Sequence, residues 1–124
     1  MTAADRLLFV YGTLKRNGSN HSFLAGQSFR GETRTVPGFK LVNLGDYPGM
    51  VVDPSDGRGV AGEVWSVDLE CVIKLDELEG LAEGLYRRER IRLRAPFDQS
   101  EVETYIYALG TLGRPTVPDG TWRI

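Results

Sequence analysis

The frequent glycines of this sequence divide it into short segments, and they limit what it can fold into. Fifteen glycines are spread over the 124 residues. Between them lie short apolar runs bounded by turn-forming residues, the pattern of strands joined by tight turns. A chain of this length makes one domain of ordinary size. We therefore expect a single domain over residues 1–124, rich in β-structure, with residues 110–124 as an irregular C-terminal tail.

Hydrophobic patterning predicts where the strands and the main helix lie. Residues 7–11 are apolar throughout, which predicts a central strand covered on both faces. The clearest helix begins after Asp68, a good N-cap residue, and ends at Gly80, a good residue for the position just beyond a helix. Further strands are expected at 33–36, 39–44, 50–52, 60–67, 86–93 and 102–109. Many short strands with one clear helix predict an α+β fold, a compact mixed or barrel-like sheet with few flanking helices.

Composition excludes several classes of chemistry. The 15 basic and 17 acidic residues leave a net charge of −2, which argues against nucleic-acid binding because such proteins are usually basic. The single cysteine, Cys71, excludes an internal disulfide, and the single histidine, His21, excludes ordinary Cys/His zinc sites. No apolar run approaches the ~18 residues of a membrane span, and no secretory signal pattern is present. We expect no metal, no cofactor, no membrane partner and a cytoplasmic location.

The helix carries a candidate general acid/base. At ~100° per residue, Glu79 shares one side of the helix with apolar residues, and Asp76 falls near the same stripe. The apolar residues of that stripe are Leu69, Val72, Ile73 and Leu75. A carboxyl turned toward an apolar interior has a raised pKa, which suits proton transfer near neutral pH. The same spacing also allows Glu79 to lie in a frayed last turn with its carboxylate in water.

A glycine turn follows the first strand. Gly12 comes directly after the apolar run, so backbone N–H groups of residues 12–14 can lie exposed at the strand's end. Such N–H groups form a receptor for a carboxylate or a developing oxyanion. An ordinary glycine turn is the alternative. His21 lies in a polar loop with no acid nearby in sequence, which indicates a bracing role rather than that of a base.

Two segments, taken in order, resemble the γ-glutamylcyclotransferase-like superfamily, most closely its γ-glutamylamine cyclotransferase, or avirulence-induced-protein-like, branch. The first is VYGTLKR at 10–16, followed by Asn20 and His21. The second is LDELEG at 75–80, with Tyr86 seven residues after Glu79. The segments YPG at 47–49 and GEV at 62–64 are also similar, and the resemblance runs from Leu8 to about Leu109.

The resemblance implies a barrel-like mixed sheet and assigns roles to six residues. Glu79 falls on the family's general acid/base, and Tyr86 falls on its substrate-contacting tyrosine. The ligand-cradling loop falls on Tyr11, Gly12, Thr13 and Leu14. The implied partner is a small-molecule γ-glutamyl amine or amide, cyclised to 5-oxoproline with release of the free amine and with no cofactor. The alternative is a non-catalytic binding or regulatory protein with the same cavity. The leaving amine and the oligomeric state are left open.

Overall fold

A computed structural model of the chain describes residues 5–124, and these form seven strands, one α-helix and two short 3₁₀ helices at His21–Leu24 and Pro118–Gly120. The strands are β1 (Arg6–Val10), β2 (Ser28–Arg34), β3 (Phe39–Asn43), β4 (Pro48–Val52), β5 (Ala61–Val67), β6 (Tyr86–Ile91) and β7 (Val102–Tyr107). The α-helix is α1 (Leu69–Leu78). Within residues 5–124, no helix is both long and apolar enough to cross a membrane.

All seven strands belong to one mixed sheet. Its order is β2–β5–β1–β7–β4–β3, and β6 also pairs with β7. Backbone hydrogen bonds from Val36 to Arg92 and from Arg94 to Arg34 join the chain beyond β2 to the chain beyond β6. These bonds draw the ends of β2 and β6 toward each other, while the strand order remains that of an open sheet. The predicted α+β class, a mixed sheet with few flanking helices, is confirmed.

Strand β1 lies at the centre of this sheet, antiparallel to β5 and parallel to β7. Leu8 and Phe9 are fully buried, and they belong to two separate core clusters because successive side chains of a strand point to opposite faces. Val10 shares a cluster with Leu8, and Tyr11 shares the other with Phe9. A central strand covered on both faces is what the continuous apolar run predicted.

Helix α1 begins and ends where the sequence indicates. The carboxylate of Asp68 accepts a hydrogen bond of 2.8 Å from the backbone N–H of Cys71, so it is the N-cap. Gly80 follows the helix with φ +66°. The backbone N–H groups of Gly80 and Leu81 donate to the carbonyls of Glu77 and Asp76, the Schellman arrangement that ends a helix.

The prediction that Leu69 and Ile73 belong to the buried side of α1 is wrong. Leu69 and Ile73 are 46% and 52% exposed, whereas Cys71, Val72 and Leu75 are buried. The helix rests on the sheet along a line that runs through these three residues, and a helical wheel gives the apolar side but not the line of contact. Because Glu79 lies four residues after Leu75, this correction keeps it on the buried side.

The strand expected at 33–36 is also wrong, because β2 covers Ser28–Arg34 instead. Its residues are mostly polar and exposed, so the sequence carries no hydrophobic alternation there. The strand forms because it pairs with β5, with a register shift between Phe29 and Gly31. Further along the chain, residues 115–117 run beside β3, where the N–H of Val117 donates to the carbonyl of Leu41 at 2.8 Å.

Candidate active site

A cavity of about 230 Å³ opens where the chain leaves β1. The end of β1 and the turn after it, the start of β4, the end of α1, the start of β6 and the middle of β7 meet there. The residues that line it are Phe9, Val10, Tyr11, Gly12, Thr13, Leu14, Asn20, Tyr47, Pro48, Leu78, Glu79, Leu85, Tyr86 and Tyr105.

Glu79 is placed in the cavity by the way α1 ends. It is the C-cap residue, its backbone is still helical, and its N–H donates to the carbonyl of Leu75 at 2.9 Å. The backbone of Gly80 then adopts the left-handed region, which residues other than glycine rarely adopt. A Cβ atom at Gly80 would lie 2.7 Å from Cδ1 of Leu85, so the chain packs closely over the helix end. The glycine thus fixes where Glu79 stands.

The carboxyl of Glu79 has an unusual proton affinity. Burial raises its pKa from the ordinary 4.5 to about 7. The C-terminal end of a helix also disfavours negative charge, which acts in the same direction. No residue of the described chain forms an ion pair or a side-chain hydrogen bond with this carboxyl. A carboxyl with a pKa near neutrality can both accept and donate a proton.

Asp76, three residues earlier, has a different environment. The hydroxyl of Tyr105 donates a hydrogen bond of 2.8 Å to its carboxylate, and Arg88 forms an ion pair with the same group. Arg88 also pairs with Glu103. Asp76 therefore belongs to a charged network that joins α1 to the sheet, whereas the carboxyl of Glu79 has no such partner among residues 5–124.

The turn after β1 lies against the start of β4. A Cβ atom at Gly12 would lie 2.7 Å from Cγ of Pro48, a distance that real Cβ atoms do not tolerate. The backbone of Gly12 does not adopt a positive φ, so its conformation does not require glycine. The close approach of Pro48 is what requires glycine at this position. The carbonyl of Pro48 in turn accepts a hydrogen bond of 3.0 Å from the hydroxyl of Tyr86.

The peptide groups of this turn have a defined orientation. The carbonyl of Gly12 accepts from the N–H of Lys15, and the carbonyl of Thr13 accepts from the N–H of Asn20. In a trans peptide the following N–H points the opposite way, so the N–H groups of Thr13 and Leu14 point away from these loop partners. No hydrogen bond joins either of them to another residue in the described part of the chain. Two N–H groups of a cavity-lining turn are therefore free to bind an anion.

The loop beyond the turn is held by a buried carboxylate. Glu63 of β5 is 6% exposed, and it accepts hydrogen bonds of 3.1 Å from both the backbone N–H and the Nε of Arg16. It also accepts a bond of 3.0 Å from the indole N–H of Trp65. The ring of His21 packs edge-on against Trp65, and its Nδ1 bonds to the carbonyl of Leu14 at 2.9 Å. His21 thus has the bracing position that the sequence indicated.

The cavity tyrosines expected to contact substrate also hold the cavity together. The hydroxyl of Tyr11 donates to the carbonyl of Tyr105 at 2.6 Å and accepts from the N–H of Met50 at 3.2 Å. Burial raises the pKa of Tyr11 and of Tyr86 above the ordinary value of 10, so both hydroxyls are neutral at physiological pH. Their rings and hydroxyls connect three strands around the cavity.

The structure brings the six residues expected at the site to the single cavity described above. They are Tyr11, Gly12, Thr13, Leu14, Glu79 and Tyr86. Sequence reasoning assigned no role to several further lining residues, among them Tyr47, Pro48, Leu85 and Tyr105. Tyr47 and Pro48 lie in a segment that carries the family resemblance, so that segment could have indicated them. Tyr105 lies within the mostly buried strand β7 and has no comparable signal. Among residues 5–124, no group of three or more His, Cys, Asp or Glu side chains could hold a metal ion.

Taken together, these features define an α+β protein with a cavity in which a glycine turn and a largely buried carboxyl of raised pKa are brought together. The family model described as γ-glutamyl cyclotransferase, AIG2-like matches residues 8–124, so the chain belongs to that family.

Relatives and solved structures agree with this assignment. A rat protein named γ-glutamylaminecyclotransferase is 35% identical over 117 residues, which cover 84% of this chain and 78% of the rat protein. The human protein of the same name is 34% identical over 122 residues, covering 85% of this chain and 79% of its own. The crystal structure of an AIG2-like protein from mouse superposes with a TM-score of 0.73 at 28% identity, covering 95% of this chain and 94% of the mouse chain.

Proposed function

We propose that this protein cyclises a γ-glutamyl amine or amide to 5-oxoproline and releases the free amine, with Glu79 as the general acid/base. The observation that carries the proposal is the unpaired carboxyl of Glu79, whose pKa burial raises to about 7, in the same cavity as the glycine turn. The family and the names of the rat and human relatives support the same reaction class.

The chemistry needs few protein groups because the substrate carries its own nucleophile. The α-amine nitrogen attacks the γ-carbonyl carbon, the new C–N bond closes a five-membered lactam, and the bond from that carbon to the leaving nitrogen breaks. Over the reaction the α-ammonium loses two protons and the departing nitrogen gains two, so no external acid or base is consumed. Tethering makes the attack intramolecular, which can supply a large part of the rate enhancement.

Glu79 is the proposed carrier of those protons. Ionised, it accepts a proton from the α-ammonium, and protonated, it donates one to the departing nitrogen. A pKa near neutrality suits both steps, since each form is then substantially populated at physiological pH.

The other cavity groups have binding roles in this proposal. The free N–H groups of Thr13 and Leu14 bind either the substrate's α-carboxylate or the oxyanion that develops on the γ-carbonyl. Gly12 allows this turn to approach Pro48. The hydroxyl of Tyr86 donates to Pro48 and keeps an oxygen lone pair that can accept from the α-ammonium, while Tyr11 forms the buried wall.

The decisive test compares two carboxyl variants on one helix. Glu79→Gln keeps the shape of the side chain but removes proton transfer, and we expect 5-oxoproline release from a γ-glutamyl amine to fall by about 10²–10⁴-fold. Glu77→Gln changes an exposed acid two residues away and should retain wild-type activity.

Asp76→Asn is the second control. This change weakens the pairing with Arg88 and Tyr105, so we expect a lower melting temperature but a rate far above that of Glu79→Gln. If Glu79→Gln is active and a folded Asp76→Asn is inactive, the proposal has assigned proton transfer to the wrong carboxyl. Binding of γ-glutamyl amines by the wild type without any release of 5-oxoproline would support the non-catalytic alternative.

A further inference from the structure

The cavity has a buried inner part and a partly exposed mouth. Tyr11, Gly12 and Leu14 line the inner part and are buried. Three larger side chains at the mouth reach solvent: Tyr47 is 47% exposed, Leu78 is 36% exposed and Leu85 is 41% exposed. A bound molecule too long for the inner part has to leave past these three side chains.

Tyr47 differs from the three other tyrosines that line the cavity. The hydroxyls of Tyr11, Tyr86 and Tyr105 each donate to a fixed protein acceptor, at 2.6, 3.0 and 2.8 Å. The hydroxyl of Tyr47 makes no hydrogen bond to any residue within 5–124. The hydroxyl of Tyr47 therefore has no hydrogen-bond partner in the described chain.

The segment that carries Tyr47 is held firmly in place. The N–H of Leu44 donates to the carbonyl of Tyr47 at 3.0 Å, and the N–H of Gly45 donates to the side-chain oxygen of Asn43 at 2.8 Å. The next residue, Pro48, contacts the glycine turn and accepts the hydroxyl of Tyr86. The ring of Tyr47 is thus positioned at the mouth in the unliganded protein, which lowers the cost of using it for binding.

We infer that Tyr47 is a specificity-determining residue whose ring contacts the substituent on the leaving nitrogen. The inference rests on the proposed function, which places the γ-glutamyl part beside Glu79 and the glycine turn. The remaining bond of the γ-carbonyl then directs the leaving group outward, between Tyr47, Leu78 and Leu85. The ring packs against the part of that group next to the nitrogen, and the unoccupied hydroxyl faces its outer part.

The test uses γ-glutamyl amides of methylamine, ethylamine, propylamine and butylamine. With the wild type, KM should fall about two- to fourfold for each added methylene, the effect of removing a methylene partly or fully from water. Tyr47→Ala should raise KM for the butylamide and flatten this dependence, with little change in kcat, because the lost contact is present in both ground and transition states. Tyr47→Phe keeps the ring and should keep the dependence.

Val52→Ala is the matched control, since Val52 is an exposed residue at the other end of β4 and does not line the cavity. If KM falls with the length of the alkyl chain as steeply in Tyr47→Ala as in the wild type, the inference is overturned. If the wild type releases no 5-oxoproline from any of the amides, the proposed function fails instead. Calorimetric affinities of the same four amides for wild type and Tyr47→Ala then decide the role of Tyr47 by the same comparison of chain lengths.

Discussion

At the scale of single residues, Glu79 and Asp76 show how environment separates two chemically similar groups. They lie three residues apart at the end of α1, yet Asp76 is bound by Arg88 and Tyr105. Glu79 has no side-chain partner in the described part of the chain, and burial raises its pKa to about 7. The carboxylate of Asp76 is engaged by these two partners, whereas the carboxyl of Glu79 lines the cavity. Proton transfer therefore falls to Glu79 in the proposed mechanism.

This difference predicts the pH dependence of catalysis. Because the ionised form of Glu79 accepts the first proton, kcat/KM should rise with pH through an apparent pKa of about 7 and should fall about tenfold per pH unit below it. The measurement is a pH profile of 5-oxoproline release by wild type and by Asp76→Asn, which should share this limb. A limb near the ordinary glutamate pKa of 4.5 would show that the carboxyl is solvated during catalysis.

Gly12 provides a second prediction at this scale. In Gly12→Val the new Cβ atom would overlap Pro48 at 2.7 Å, so the turn must move away from the start of β4. We expect weaker substrate binding, seen as a KM raised by about tenfold or more, since a displaced turn misplaces the N–H groups of Thr13 and Leu14.

Gly57→Val is the comparison, because a Cβ atom there meets no atom of residues 5–124 within 4 Å. It should leave KM unchanged. If KM and kcat are both unchanged in Gly12→Val, the turn has only a structural role and does not bind the substrate.

At the scale of secondary-structure elements, the end of α1 connects helix capping to the position of Glu79, the proposed general acid/base. Gly80 has φ +66°, and its close neighbour Leu85 also lines the cavity. Gly80→Ala must therefore strain the backbone and displace Leu85. We expect a loss of about 1–2 kcal/mol in the free energy of unfolding and a lower kcat/KM, because Glu79 is the residue directly before the strained position.

Gly84→Ala separates the two effects. Gly84 has a similar φ of +75°, but a Cβ atom there meets no atom of the described chain within 4 Å. Gly84→Ala should therefore lower the free energy of unfolding, measured by chemical denaturation, and leave kcat/KM unchanged. Equal activity losses in both variants would show that the position of Glu79 does not depend on how the helix ends.

At the scale of the whole molecule, the raised pKa of Glu79 links the cavity to the stability of the fold. Between about pH 4.5 and pH 7, the folded protein binds a proton at Glu79 that the unfolded chain does not bind. Stability from this group is therefore complete below pH 4.5 and is lost as the pH rises through 7. Burial of the carboxyl of Glu79 thus costs the molecule stability above pH 7, where the proposed proton acceptor is ionised.

Glu79→Gln should remove this dependence. The difference between the free energies of unfolding at pH 5 and pH 8 should be smaller in the variant than in the wild type by about 1–3 kcal/mol. Urea denaturation at the two pH values measures it, with Glu77→Gln as the exposed control that should behave like the wild type. A difference that is the same in all three proteins would place the carboxyl of Glu79 in water when the protein is folded.

The sequence by itself determined the features that depend on neighbours along the chain. The apolar run of β1, the Asp68 cap and the Gly80 end of α1 are local signals, and each was confirmed. The helical spacing from Leu75 to Glu79 is also local, and it made Glu79 a candidate while leaving open a frayed last turn; the resemblance of the LDELEG segment favoured Glu79 over Asp76. The two family-like segments indicated the class of protein for the same reason, since each is a short continuous string.

Only the tertiary structure decided what depends on residues far apart in sequence. Strand β2 has no pattern of its own and exists because it pairs with β5. The line along which α1 meets the sheet, which exposes Leu69 and Ile73, is set by packing. The pKa of Glu79 and the position of Tyr47 likewise follow from walls supplied by several distant segments. Desolvation and long-range strand pairing are properties of the assembled fold, and no local pattern encodes them.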